Sequence, residues 1–304
     1  MLNIKRILVA SDMSESSALA ETRAAALCVQ LGLPELELVH VQDTGFTDML
    51  GQILGGSSQK SEELVIEQVT KDFEPLRERI SDEFGINTTL TILFGRPSNE
   101  IARYANESAA SLIVVGAKQP GTGRKFFLGN TPDRLLHATS IPLLIVRQAP
   151  VNPYQDVLIP VDFSENATFA AKVGIRMLLP ASKKTFLHAY HIPNEGLMRY
   201  ASVSAELINS FRVKAKEQAE EDMANLIALL GTNGRVSQVV QYGNALHVIE
   251  DYVNANNPDL IIMGKEGRSR LGNLLLGSIA RNTVNETSCD ILIVPLKPAT
   301  DAAS

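Results

Sequence analysis

Ile7-Leu8-Val9-Ala10-Ser11-Asp12-Met13-Ser14-Glu15 has a second copy further along the chain, Val157-Leu158-Ile159-Pro160-Val161-Asp162-Phe163-Ser164-Glu165. In both, an apolar run ends on an aspartate with a Ser-Glu pair behind it. Repetition at a fixed spacing decides the fold before local detail does, because it means that one supersecondary unit is written twice. The two stretches stand 150 residues apart, and the correspondence then settles at 148: His40 with His188, Gly95 with Gly243, Ile101 with Ile249, Gly116 with Gly264, Gly129 with Gly277, and Leu144-Ile145-Val146 with Leu292-Ile293-Val294. So constant an offset leaves room for few insertions. The 304 residues therefore divide into two domains of about 150, each long enough to bury a core of its own. Their expected bounds are 1–148 and 153–298, either side of a short stretch whose prolines, Pro150 and Pro153, disfavour a helix or a central strand.

Within each copy, short apolar runs alternate with helical periods. In the first, Ile4 to Ala10, Leu36 to Val41, Thr88 to Leu93, Leu112 to Val115 and Leu143 to Val146 read as strands buried on both faces. Between the second and third, Val65, Val69, Phe73, Leu76, Ile80 and Phe84 recur at helical spacing, with Pro75 as an expected kink. The second copy repeats the row with Leu207, Phe211, Ala215, Ala219, Met223, Leu226 and Leu230. Strand, helix, strand, helix demands an α/β fold: a parallel, open, Rossmann-like sheet with helices on both faces. Each copy ends on an apolar strand that is a bare edge unless paired, and the linker is brief. The last strands are accordingly expected to meet as an intramolecular pseudo-dimer.

The composition, 45% hydrophobic and 20% charged, is that of an ordinary globular chain. A net charge of -6 argues against nucleic acid or an anionic membrane as a partner, both of which reward a basic surface. No apolar stretch approaches the ~20 residues needed to span a bilayer, and the N-terminus carries no cleavage signature. The expectation is a cytoplasmic protein. Cys28 and Cys289 form no CxxC pair and read as buried, inert thiols. His40, His188 and His191 fall at or beyond the second strand of each copy without acidic or cysteine partners at ligand spacing, and read as satisfied strand-end histidines.

Ligands of open parallel sheets bind beyond the carboxyl ends of the strands, near the switch point. After Leu260-Ile261-Ile262-Met263 comes Gly264-Lys265-Glu266-Gly267, then nine residues, then Gly277-Ser278 at the start of a new helix. Glycines let a backbone approach a phosphate closely, and the amides of a helix start point at the anion. Ser278 adds a hydroxyl, and Lys265, Arg268 and Arg270 are available cations.

This spacing, glycine-x2-glycine-x9-glycine-Ser, resembles the nucleotide-binding signature of ATP-binding universal stress proteins. Gly264, Gly267, Gly277 and Ser278 fit it, and Asp162, like Asp12, matches the aspartate that the family places at the end of its first strand. The resemblance covers practically all of both halves. It implies an open five-stranded sheet per domain of the adenine nucleotide alpha hydrolase-like kind, last strands that pair, and ATP or a related adenine nucleotide, with Mg2+ or Mn2+ as candidate ions, held by Asp162, Gly264, Gly267, Arg268, Gly277 and Ser278. It further implies a regulatory role in stress, exercised through a protein partner the sequence does not name; a further homodimer is compatible with it.

The first copy departs from the pattern. It reads Gly116-Ala117-Lys118-Gln119, nine residues, then Gly129-Asn130. Where the backbone needs a positive φ, Gln119 is strained and its side chain takes phosphate space. This loop reads as degenerate, with Gly121 and Gly123 as partial compensation. No Walker lysine-serine pattern occurs, and Glu266 and Asp162 are the nearby carboxylates, so catalysis is expected to reach at most weak ATP hydrolysis. A slow ATPase and a nucleotide-free interaction module are the alternatives. The segment Thr44 to Lys60 reads as a short amphipathic helix or a surface loop.

Overall fold

The protein is described by a computed structural model for residues 4–45, 49, 58–117, 128–149, 153–267 and 276–296. The chain divides into two compact units, Met1–Pro153 and Tyr154–Ser304. The first runs β1 (Ile7–Ala10), α1 (Glu15–Leu31), β2 (Glu35–Gln42), α2 (Ser58–Phe84), β3 (Asn87–Phe94), α3 (Pro97–Glu107), β4 (Leu112–Gly116), α4 (Asn130–Ala138) and β5 (Leu143–Val146). Its strands lie in the order β3-β2-β1-β4-β5, all pairs parallel. The second runs β6 (Asp156–Pro160), α5 (Glu165–Ile175), β7 (Lys183–Tyr190), α6 (Glu195–Tyr200), α7 (Ala205–Leu230), β8 (Val236–Tyr242), α8 (Ala245–Asn256), β9 (Leu260–Gly264), α9 (Ser278–Glu286) and β10 (Asp290–Val294). The order is β8-β7-β6-β9-β10, again parallel. Among the described residues no helix is long and apolar enough to cross a membrane. Most of Thr44 to Lys60, and Pro150 to Asn152 of the linker, lie outside the described residues.

The apolar runs become the inner strands: Ile7, Leu8 and Val9 of β1 and Leu260, Ile261 and Ile262 of β9 are fully buried. The third strand of the first unit differs from the expectation of burial on both faces, and its counterpart in the second unit is alike. β3 and β8 end their sheet orders and are only part-covered, and polar residues such as Thr89 and Gln241 occupy the open positions. On α2 the periodic row does what its spacing requires. Val65, Val69, Phe73 and Ile80 are buried, and the helix passes through Pro75 without interruption. On α7 the row holds only from Ala219 through Met223 to Leu226; Leu207 and Phe211 are exposed and Ile208 is buried instead. The first turns of α7 meet α6 through charge: Glu195 pairs with Arg212, which lies over the Tyr242 ring, and also with Arg199 and the Tyr242 hydroxyl.

That cluster has a pH signature. Hydrogen bonds from Arg212, Tyr242 and Arg199 lower the Glu195 pKa to about 2. A depressed carboxyl pKa contributes stability above the unfolded value and loses it as pH falls through the folded one. The docking of α6 is therefore expected to persist at pH 5 and to fade between about pH 4 and 2. Near-ultraviolet dichroism of the tyrosines checks this, and Glu195→Gln is expected to abolish that acid transition.

Both cysteines are buried, and burial pushes the Cys28 thiol up to about 12. Such a thiol is not a nucleophile.

Candidate functional site

The first turn after β6 and after β1 is built the same way. Ser164 caps α5, its hydroxyl accepting from Ala167 N at 3.1 Å, and Ser14 caps α1, accepting from Ser17 N at 3.3 Å. The aspartates sit two residues earlier: Asp162 Oδ1 accepts from Ser164 N at 3.0 Å and Asp12 Oδ1 from Ser14 N at 3.1 Å. The residue between each pair is left-handed, with φ 60 at both Phe163 and Met13. Such a conformation costs a side-chain-bearing residue about 1–3 kcal/mol. Its appearance in both copies marks the turn as a device that aims the aspartate back over the strand ends. The aspartates make the turn, and the serines make the cap. Burial works against the Asp12 charge, yet hydrogen bonds from Ser14 and Ser17 outweigh it and hold the carboxyl below its ordinary range.

Two of the strand-end histidines, His40 and His188, are satisfied as expected. His188 Nδ1 lies 2.8 Å from Val161 O and His40 Nδ1 lies 2.9 Å from Ser11 O. A carbonyl only accepts, so Nδ1 carries the proton and the ring braces the peptide just ahead of each aspartate.

In the second unit the order reverses between β6 and β9, and there a cavity of about 340 Å³ opens. Asp162, Gly264, Gly267, Gly277 and Ser278 all line it. Arg268 and Arg270 lie outside the described residues, as does Gln119. One wall is apolar, from Val161, Leu187, Ala189, Ile249 and Met263. The other is the start of α9, whose N-cap, Gly277, has no side chain and so gives the first-turn amides no cap acceptor. Ser278, Ile279 and Ala280 of that turn line the cavity. Lys265 lines it too and is almost fully buried; burial pushes its ammonium pKa down, with Glu266 partly opposing.

The glycines work by space and not by φ. None of Gly264, Gly267 and Gly277 is left-handed. A Cβ at Gly267 would stand 3.1 Å from Asp162 Oδ2, and one at Gly264 3.0 to 3.2 Å from the Asn166 amide. One at Gly277 would stand 3.3 Å from Lys265 O, the carbonyl that accepts from Gly277 N at 2.9 Å. Asn166 also donates from Nδ2 to Glu266 O at 3.0 Å, pinning the loop to α5. The sequence pattern alone did not reveal this asparagine, since its partner is 100 residues away.

The first unit keeps a cavity of about 320 Å³ at the equivalent place, lined among others by Asp12, Ser16, Gly116, Gly129 and Asn130. Its helix start differs. Pro132 stands where α9 has Ala280 and carries no N–H, and Gly129 is left-handed at φ 86 where Gly277 has φ -59. The 148-residue offset placed Pro132 opposite Ala280 and was the signal available for it.

A sequence model of the universal stress protein family matches residues 3–147 and again residues 153–295. The chain belongs to the universal stress protein family. Among its relatives are a universal stress protein of Methanocaldococcus jannaschii, 27% identical over 47% of this chain and 96% of its own, and the universal stress protein YxiE of Bacillus subtilis, 29% identical over 47% and 98%. Each single-unit relative thus answers to one half of a tandem member. A crystal structure of a universal stress protein from Archaeoglobus fulgidus superposes with a TM-score of 0.62, 18% identical over 95% of this chain and 98% of that one; it shares the fold.

Proposed function

We propose that this tandem universal stress protein is a nucleotide-binding regulatory protein whose second unit takes an ATP-type adenine nucleotide and reports it to a protein partner. The observation that carries the reading is one cavity with two chemistries. An apolar slot suits a planar base, and it closes on an uncapped helix start that suits a phosphate. Gly267 and Gly277 keep side chains away from that end, and Ser278 adds a hydroxyl. Arg268 supplies a cation by its place in the sequence pattern. Adenine itself is an inference from family membership. Among the described residues no group of three or more His, Cys, Asp or Glu is placed to hold a metal. A Mg2+ or Mn2+ ion would therefore enter with the nucleotide, on its phosphates and water. Mass spectrometry of ligand released from freshly purified protein tests the reading, with an adenine nucleotide as the expected species. Protein that carries none and binds none in titration would move the function to a nucleotide-free interaction module.

Turnover is expected to be slow. Fast phosphoryl transfer needs a group that orients the attacking water as well as cations on the phosphates. Asp162 spends one carboxylate oxygen on Ser164 N, and its other oxygen lies 3.1 Å from where a Cβ on Gly267 would stand. Multiple-turnover assays should give hydrolysis well below roughly 1 per second, the low end of ordinary enzymes; a faster rate would mean that a water-orienting group is present.

A further inference from the structure

The turn that carries the aspartate is built alike in both units, but what stands behind it is not. In the first unit Ser11, at the end of β1, and Glu21, on α1, are both buried, and the Ser11 hydroxyl donates to Glu21 Oε1 at 2.5 Å. The same Ser11 oxygen accepts from Met13 N at 3.2 Å, and Met13 is the left-handed residue of the turn. We propose that Glu21 is a pH-sensitive latch: ionised, it holds the Asp12 turn through Ser11, and protonated, it releases it. The inference rests on residues of the first unit alone and stands apart from the nucleotide reading of the second.

A carboxylate only accepts, so an ionised Glu21 fixes the direction of the Ser11 O–H and leaves the lone pairs of that oxygen to Met13 N–H. Donation to an anion polarises the hydroxyl and strengthens the bond it accepts in turn. A protonated Glu21 can itself donate. Its O–H then competes with Met13 N–H for the Ser11 oxygen, and the Ser11 proton has to turn elsewhere. The brace matters because φ 60 at a methionine persists only where its surroundings over-determine it. The backbone of Ser11 is fixed on both sides, its N–H donating to Val39 O at 3.0 Å and its carbonyl accepting from His40 Nδ1 at 2.9 Å. The hydroxyl is the movable joint.

The charges around Glu21 leave it poised. Arg79 of α2 stands 3.7 Å from Glu21 Oε2, but its guanidinium is part-exposed and also pairs with Glu83 at 3.5 Å. Asp12 repels the Glu21 charge and Ser17 of α1 supports it. On β2, Glu35 is exposed, Glu37 is turned to Tyr104 and Arg6, and His40 is spent on the Ser11 carbonyl. β4 and β5, which also pack on α1, carry no titratable side chain. Burial outweighs the Ser11 and Ser17 hydrogen bonds and the pull of Arg79, and pushes the Glu21 carboxyl above its ordinary 4.5, whereas Asp12 is held below its own 3.8. As pH falls, Glu21 therefore takes its proton first, with Asp12 still ionised. The second unit has Val161, Ala171 and Ile227 where the first has Ser11, Glu21 and Arg79. Apolar side chains take up no proton, so the turn that carries Asp162 is held without this latch.

The test is NMR of the full chain, titrated from neutral to acid pH with glutamate carboxyl carbons and backbone amides observed together. The Met13 amide is expected to move with the same midpoint as the Glu21 carboxyl, above 4.5, while the Phe163 amide stays flat across it. Glu21→Gln should abolish that Met13 transition. Ser11→Val combined with Glu21→Ala, the pair the second unit carries, should abolish it too, and serves where Glu21→Gln fails to fold. A Met13 amide that stays flat while Glu21 titrates overturns the proposal, as does a Glu21 midpoint at or below 4.5. A Met13 transition at that midpoint that survives in either variant also overturns it, because it then belongs to another group such as His40. A Glu21 that merely packs would change stability on substitution without giving Met13 a pH profile.

Discussion

Calorimetric titration with ATP is expected to give one site per chain, and Gly277→Val is expected to weaken it by roughly two to four orders of magnitude. The estimate follows from the contacts at stake: two charge-assisted hydrogen bonds at about 1.5–3 kcal/mol each. The backbone tolerates the change, because φ -59 and ψ 147 suit valine. The damage comes from direction. A Cβ at Gly277 points at Lys265 O, 3.3 Å away, with Glu266 Cα and Gly267 N next at 3.7 Å. The two valine methyls would therefore press on the loop and separate its amides from those of α9, so the substitution acts by opening the cradle and not by filling the slot. Gly129→Val is the counterpart in the first unit, where φ 86 strains any side chain. It should cost local stability and leave ATP affinity nearly intact. A stoichiometry of two, or affinity lost at Gly129 and kept at Gly277, would falsify the assignment to the second unit.

How far the sequence led depends on what each residue answers to. Strand runs such as Leu112 to Val115 and Leu143 to Val146 are continuous in sequence and burial alike, so they appear nearly to the residue as β4 and β5. The α2 row was legible because one helix face meets one core. The α7 row was not, because Glu195, from a six-residue helix the periodicity did not register, replaces apolar burial over its first turns with ion pairs. At the site the loop glycines were visible as a spacing, but their cause was not. A side chain at Gly267 would crowd Asp162, and one at Gly264 would crowd the Asn166 amide. Asp162 was named with the glycines only through the family resemblance, and Asn166 is not inferable from a stretch that begins with β9. Pro132 was readable in principle from the internal offset, since a proline in a first helical turn has a definite meaning for donors.

The glycines that open the two loops, equivalent in sequence, are expected to differ sharply when changed to alanine. A Cβ at Gly116 would lie 1.9 Å from Ser16 O and 2.3 Å from Ser16 C. Those are backbone atoms in the first turn of α1, which cannot rotate away as a side chain does. Gly116→Ala must push α1 off β4 and with it the turn that carries Asp12, so a loss of about 4 kcal/mol or more is expected, in the range reserved for severe core overpacking. At Gly264 the nearest atoms belong to the Asn166 side chain, at 3.0 to 3.2 Å. That amide can shift by a few tenths of an ångström, and the stability cost should stay near 1 kcal/mol. What it gives up is its bond to Glu266 O, the tie between the loop and α5, so Gly264→Ala should show its main effect as weaker nucleotide binding. Urea unfolding followed by hydrogen exchange, peptide by peptide, separates the two outcomes. Gly116→Ala should release protection across β1, β4 and α1 while leaving β6, β9 and α5 protected. Equal stability of the two variants would mean that α1 yields to the methyl at little cost, and that the close approach at Gly116 does not govern how the first unit packs.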